Sequence, residues 1–120
     1  MHRSPLAILS DIHSNLDALD AVTAELDAAG IDNVVCLGDV VGYAAYPDEC
    51  INRIRARGWH TVLGNHDDAL DNSPAKAQMN DVANAGIRHA EKQVSSDNRE
   101  WLASLPMRYS RAHAVFTHAS

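Results

Sequence analysis

Cysteine is scarce in this chain. There are two in 120 residues, Cys36 and Cys50, and no Cys-x-x-Cys spacing that would indicate a zinc knuckle or a redox pair. Both fall in segments with apolar neighbours, so they read as small buried hydrophobes of a reducing cytosol. Basic charge is also in deficit, with 10 Lys and Arg against 16 Asp and Glu and a net charge of −6. That argues against nucleic acid held in a basic groove. It does not exclude an anionic substrate, because divalent cations bound by an acidic cluster turn the local field positive. No apolar stretch approaches a membrane span. The short run after Pro5 stops at Asp11 without a small-residue cleavage site, so a cytoplasmic protein with no membrane partner is expected. There is no Gly-x-Gly-x-x-Gly and no Gly-Lys-Ser/Thr, which ranks a nucleotide-binding doubly wound domain low. Internal repeats, low-complexity tracts and linkers are absent too. With 46% hydrophobic and 22% charged residues, residues 1–120 are expected to form a single globular domain.

What is present is an alternation of apolar runs and helical periodicity. Residues 6–12, 33–38 and 60–64 read as buried strands. A helix is expected from about Asn15 to Ala29, capped by Ser14 or Asn15 and ended by Gly30. Pro47 opens a second helix and Gly58 stops it, with Asp48 and Glu49 at its positive end and Arg53, Arg55 and Arg57 at its negative end. Residues 68–74 read as a loop. A helix over about 74–94 carries Met79, Val82, Ala83, Ile87, Ala90 and Val94 on one stripe, with Gly86 as an unfavourable interior residue. Asp97 to Glu100 has the spacing of a capping box for a short helix through Leu105. Residues 108–113 and 114–117 read as two more strands. The β-α-β-α-β order of the first half predicts an α/β fold with a parallel sheet and right-handed crossovers.

Each of the first three strands is followed at once by metal-binding side chains: Asp11-Ile12-His13, Gly38-Asp39, and Gly64-Asn65-His66-Asp67. In an open α/β sheet, ligands gather outside the carboxyl ends of the strands, so these segments converge on one edge. A hydrolytic two-metal site needs a bridging carboxylate, further N and O ligands, and open positions for water and substrate. Asp11 and His13, two apart in an extended strand, face the same side and can grip one cation. Asp39 can reach two cations, and Asn65 offers a neutral oxygen. His66 points elsewhere, toward substrate. A loop Asp or His without a ligand role accounts for Asp11-x-His13 taken alone. Three such segments in order argue against coincidence.

These strings resemble the ordered motifs of the calcineurin-like metallophosphoesterases, and His118, after an apolar strand and before Ala-Ser, resembles that family's fourth motif. The resemblance spans nearly the whole chain and is closest to the small bacterial phosphodiesterase branch. Val41-Gly42-Tyr43 and Asp67 stand where the protein Ser/Thr phosphatase branch has other residues. The resemblance implies that Asp11 and His13 bind one metal, Asp39 bridges, and Asn65 and His118 bind the second. It implies that His66 assists catalysis without being a ligand. It further implies an αββα sandwich, here its N-terminal half. The cofactor would be two divalent ions, manganese first, with iron, zinc, nickel or magnesium as alternatives. The activity would be phosphodiesterase or phosphatase chemistry on small phosphate esters, through a metal-activated hydroxide at a binuclear centre.

One departure stands out: the family's final Gly-His-x-His, which gives one His to each metal, is not in this sequence. The expectation is a chain cut short, a degenerate gene product, or a protein completed by another chain. Metal affinity would be weakened and activity low or absent, and exposed apolar surface would favour homo-oligomers or swapped strands. The competing reading is a non-catalytic member of the fold serving as a metal-binding or protein-interaction scaffold. Tyr43 and Tyr46 would line a substrate pocket or pack the loop. Asp67 would orient His66 or cap its own loop, the latter weighing more. Asn15 is explained by helix capping, and Arg108 and Arg111 by solvated strand positions. His2, His60 and His89 read as surface or structural residues. His113, five residues before His118, would face the opposite side of a strand.

Overall fold

Three apolar runs pair into a parallel sheet in the order β1-β2-β3, formed by β1 (Leu6–Leu9), β2 (Asn33–Cys36) and β3 (His60–Thr61). The computed structural model describes residues 5–119; His2 and Ser120 lie outside them. Leu6 pairs with Asn33 and Leu9 with Cys36, while Cys36 pairs with Thr61. The carboxyl ends of all three strands are therefore level. Hydrogen bonding continues past the strands, with the Leu37 N–H donating to Leu9 O at 2.7 Å and the Val62 N–H to Cys36 O at 3.0 Å. A separate antiparallel hairpin, β4 (Arg108–Arg111) and β5 (Ala114–Thr117), completes the strands.

Among the described residues, six helices connect and flank these strands: α1 (Leu16–Ala28), α2 (Pro47–Arg57), α3 (Asn65–Asp68), α4 (Ser73–Ala77), α5 (Asp81–Gln93) and α6 (Ser96–Ala103). The core joins Val34 and Cys36 of β2 to Leu19 and Leu26 of α1, Ile51 and Ile54 of α2, Ile87 and Ala90 of α5, and Leu102 of α6. Burying these side chains contributes about 1.5–3 kcal/mol for each Val, Leu or Ile. Cys36 and Cys50 are buried free thiols, and burial pushes both up to about 12, so they are chemically inert. Leu6 and Ile8 of β1 stay exposed. No helix among the described residues is long and apolar enough to cross a membrane.

Several boundaries differ from the sequence reading. β1 stops at Leu9 instead of running to residue 12, because the chain turns through positive φ at Asp11. The helix expected over 74–94 is two helices: Asn80 accepts from the Ala83 N–H and starts α5 afresh. An Asn that caps one helix interrupts the one before it, and the apolar stripe hid that break. The third strand, expected over 60–64, is only β3 (His60–Thr61), and Gly64 caps the short helix α3 in which Asn65, His66 and Asp67 lie. The cap of α6 is Ser95, whose hydroxyl accepts from the Asn98 N–H, not Asp97.

A polar bolt joins α6 to α2. Buried Asn98 donates from Nδ2 to Asp48 Oδ1 at 2.7 Å and to Asn52 Oδ1 at 2.8 Å, and its Oδ1 accepts from Arg55 Nη1 at 2.8 Å. The Ser95 N–H also donates to Asp48 Oδ1, at 2.9 Å. Partial burial raises the Asp48 carboxyl, but the Ser95 and Asn98 donors outweigh it and hold the group below its ordinary value. A depressed carboxylate stabilises the fold above its unfolded pKa, near 3.9, and that contribution is lost as pH falls through the folded pKa. Urea melts taken between neutral pH and about pH 3 are expected to show a shallower acid limb for Asp48→Asn than for the parent. Parallel limbs would refute this.

Candidate metal centre

Past the carboxyl ends, the β1 and β2 loops are laced together by their backbones. Asp11, His13 and Ser14 N–H groups donate to Gly38, Asp39 and Val40 carbonyls at 3.0, 2.9 and 2.8 Å. Ala44 and Tyr46 N–H groups donate back to His13 and Ser14 carbonyls at 3.2 and 3.1 Å. This lacing holds Asp11 (φ 58°), His13 (φ 48°), Ser14 (φ 60°), Asp39 (φ 55°) and Tyr43 (φ 58°) in the left-handed region. Five non-glycine residues so held within one site is stored backbone strain, each at order 1–3 kcal/mol.

The third loop is attached through Asp67. Its Oδ2 accepts from the Asp39 and Gly64 N–H groups at 2.9 and 3.0 Å, and its Oδ1 from the Val40 and Val41 N–H groups at 2.9 and 3.1 Å. Burial pushes this carboxyl up, to about 7, against the pull of the Gly64, Val41 and Asp39 donors. Two donors on each oxygen is the geometry of the ionised form. Asp67 is thus a loop clamp, and nothing in its contacts orients the His66 ring. The two loops also touch through glycines. A Cβ on Gly38 would meet Gly64 N at 2.5 Å, and one on Gly64 would meet Asp39 N and Oδ1 at 2.2 Å.

This framework brings Asp11, His13, Asp39, Asn65, His66 and His118 together. His13 Nε2 lies 3.3 Å from Asp11 Oδ1 and 3.5 Å from Asp39 Oδ2. His118 Nε2 lies 3.3 Å from Asp39 Oδ2 and 3.0 Å from Asn65 Oδ1. Asp39 is buried between the two imidazoles, with its other oxygen fixed by the His66 N–H at 3.0 Å. Asp11 and His13 do meet, but not as strand neighbours facing one side; the left-handed turn brings them together. Nor does His66 turn away from the cluster: a ring nitrogen lies within 4.8 Å of ligand atoms of His13 and Asp39. Its Nδ1 is buried without a partner against Gly42, and burial lowers its pKa, with Asp39 pulling it up and His13 pushing it down.

The remaining sequence candidates sit elsewhere. His60 stacks on Tyr109 at 4.3 Å, and His89 contacts Ala45 O at 3.0 Å. His113 lies in the β4–β5 turn, and Arg111 pairs with Asn33 at the far end of β2. Asn15 caps α1 through the Ala18 N–H at 3.1 Å.

The donor set can be tested by its own chemistry. His13 Nδ1 faces Val41 O at 3.1 Å and His118 Nδ1 faces Leu37 O at 2.7 Å. A carbonyl only accepts, so each Nδ1 carries a proton, and in the neutral imidazole each Nε2 is then a bare lone pair. Those lone pairs face Asp11, Asp39 and Asn65 oxygens, which are also acceptors. Lone pairs facing one another at this range repel unless a cation lies among them, and metal-binding histidines typically donate their other N–H to a carbonyl in this way. The residues therefore fit divalent cations with N and O ligands. Burial raises and Ser10, His118 and His13 lower the Asp11 carboxyl, for a net shift downward that keeps it ionised.

Fold and donor set together define a candidate divalent-metal centre at the carboxyl edge of a parallel α/β sheet. The calcineurin-like phosphoesterase superfamily domain matches residues 5–119, and the chain belongs to that family of metal-dependent phosphoester hydrolases. It is 36% identical over 124 residues to an uncharacterized protein of Methanocaldococcus jannaschii, covering 100% of this chain and 51% of the relative. The metallophosphoesterase structure from Sphaerobacter thermophilus superposes with a TM-score of 0.73 at 33% identity, over 92% of this chain and 44% of that one. A hypothetical protein of Pyrococcus horikoshii shares the fold, with a TM-score of 0.67 at 24% identity, over 87% and 48%. The chain thus spans about half the length of the relatives it matches.

Proposed function

We propose that this chain carries the phosphoester-hydrolysing centre of its family, with Asp11 and His13 holding one divalent ion, Asn65 and His118 a second, and Asp39 between them. The observation that carries the reading is the acceptor-only cluster: two imidazole lone pairs held against three oxygens by carbonyls that fix their tautomers. Bound divalent cations, manganese first, supply Lewis acidity toward phosphoryl oxygen and water at neutral pH. The protein's part is placement. The His66 N–H on Asp39 Oδ1 fixes which carboxylate oxygen faces the two imidazoles. His66 itself, its Nδ1 closed off by Gly42, turns its remaining nitrogen to the leaving oxygen, which it protonates or hydrogen-bonds as charge develops. Small phosphate mono- or diesters are the substrate class, in a single domain over 1–120 located in the cytoplasm, with a homo-oligomer or a completing chain as the partner.

The test is hydrolysis of a generic aryl phosphodiester and monoester with manganese in excess. Activity is expected to vanish with chelator and to fall by at least about a hundredfold in His66→Ala, the usual scale for losing an acid–base group. The competing reading is a non-catalytic metal-binding scaffold on the same fold. Manganese uptake without any chelator-sensitive turnover would establish that reading instead.

A further inference from the structure

Tyr43 is the aromatic side chain of the site loops that the metal-binding set does not use. Its ring centroid lies 4.8 Å from that of His13, edge-on at 80°, and 4.9 Å from that of His66, tilted at 41°. The two imidazoles are themselves 4.7 Å apart. The three rings form one cluster, in which His66 is buried and Tyr43 is 49% exposed. One part of the Tyr43 ring is therefore seated on site residues and the rest faces solvent at the mouth.

The backbone shows that this placement is imposed. Tyr43 has φ 58°, a conformation in which a bulky L-residue is an outlier. It is held there from two sides. A Cβ on Gly42 would meet His66 Nδ1 at 2.5 Å, and a Cβ on Gly86 of α5 would meet Tyr43 N at 2.3 Å. That close approach also explains the glycine in the middle of α5. Tyr46, three residues on, is the internal contrast. It is equally exposed, but its φ is −122° at the start of α2.

We propose that Tyr43 is a specificity residue that contacts the leaving group of the substrate, and that it favours phosphate esters with an aromatic ring attached next to the phosphate. The exposed ring offers an edge-to-face or offset surface to such a group, directly beside His66. An aromatic contact of this kind corresponds to a preference of about three- to tenfold over an aliphatic group of the same charge. The inference rests on the phosphoesterase reading for its meaning, but not for its test.

Unreactive probes separate the two. Phenylphosphonate and methylphosphonate are titrated calorimetrically into the manganese-loaded protein, with thermal melts of each variant alongside. The parent is expected to bind phenylphosphonate about three- to tenfold more tightly. Tyr43→Phe keeps that preference and Tyr43→Leu loses it. Tyr43→Gly, for which a φ of 58° is unstrained, loses the preference while melting no earlier than the parent. A parent with no preference, or with no binding of either probe, overturns the proposal. So does a preference that survives in Tyr43→Leu and Tyr43→Gly. A Tyr43-dependent preference in a protein that hydrolyses no ester would sink the hydrolytic reading alone. Hydrolysis with an unchanged preference would sink this one alone.

Discussion

Asp67→Ala is expected to cost about 4 kcal/mol or more and to abolish manganese uptake, even though Asp67 is not among the candidate ligands. The change strands four backbone N–H groups, those of Asp39, Val40, Val41 and Gly64, around a side chain that is 3% exposed. Each buried donor left unpaired costs about 1–3 kcal/mol. Relaxation and water entry keep the total below the simple sum, but it remains a large share of the roughly 5–15 kcal/mol that stabilises a domain. Asp67→Asn is the sharper probe. An amide presents one oxygen and one NH₂, so two of the four donors would face another donor, and a loss of about 2–4 kcal/mol is expected. Asp68→Ala is the neighbouring control. Among the described residues the Asp68 side chain accepts one hydrogen bond, from Asn72 Nδ2 at 2.8 Å, and its loss should cost about 1 kcal/mol or less. Urea melts rank the three, and calorimetric titration with manganese reads the site. An Asp67→Ala protein that melts and binds like Asp68→Ala would remove the clamp from the account.

Gly64→Ala is expected to disrupt the site through a single methyl group. Gly64 has φ −91° and ψ 165°, an ordinary extended conformation that alanine adopts freely. The penalty is therefore steric and not conformational. The new Cβ would lie 2.2 Å from both the backbone nitrogen and Oδ1 of Asp39. The Asp39 backbone nitrogen cannot swing aside as a side-chain end could, so Asp39 or the loop must move. Overpacking of this kind costs about 1–3 kcal/mol, and displacing a reacting or ligating group by about 1 Å is worth roughly a hundredfold in rate. Manganese uptake and hydrolysis should both fall to background. Gly58→Ala supplies the comparison. Gly58 has φ 65° with nothing within 4 Å of a built Cβ, so it should lose about 1 kcal/mol through backbone conformation alone and keep metal binding intact. If Gly64→Ala bound manganese as well as Gly58→Ala, the tight contact between the two loops would have no functional weight.

Much of the site was legible before any coordinates. Asp11, His13, Asp39, Asn65 and His66 come together on one argument, that polar residues following buried parallel strands share an edge, whereas His118 joins them only through the family resemblance. The level register of Leu9, Cys36 and Thr61 is the physical reason that argument holds. The reason assigned to Asp11 and His13 was wrong in detail. Strand alternation does not join them; a left-handed turn does, a conformation that Asp and His adopt more readily than most residues but do not by themselves specify. Asp67 was read as one of two alternatives because an acidic residue after His66 has the same appearance whether it meets the ring or the backbone. Gly86 read as a weakness in a helix and proves to be the space into which the Tyr43 backbone fits. The break between α4 and α5 was masked by an apolar stripe that runs through it.

By itself, the sequence determined the β-α-β-α-β order of the first half and the chemical identity of the donor atoms, because hydrophobic periodicity and residue type are properties of the chain. Tertiary structure decided which donors face one another and in what protonation. The carbonyls of Val41 and Leu37, which fix the two histidine tautomers, and the four N–H groups gathered by Asp67, come from backbone that carries no side-chain signature. Backbone groups are the same at every position of the sequence, so only the fold can say which of them meet.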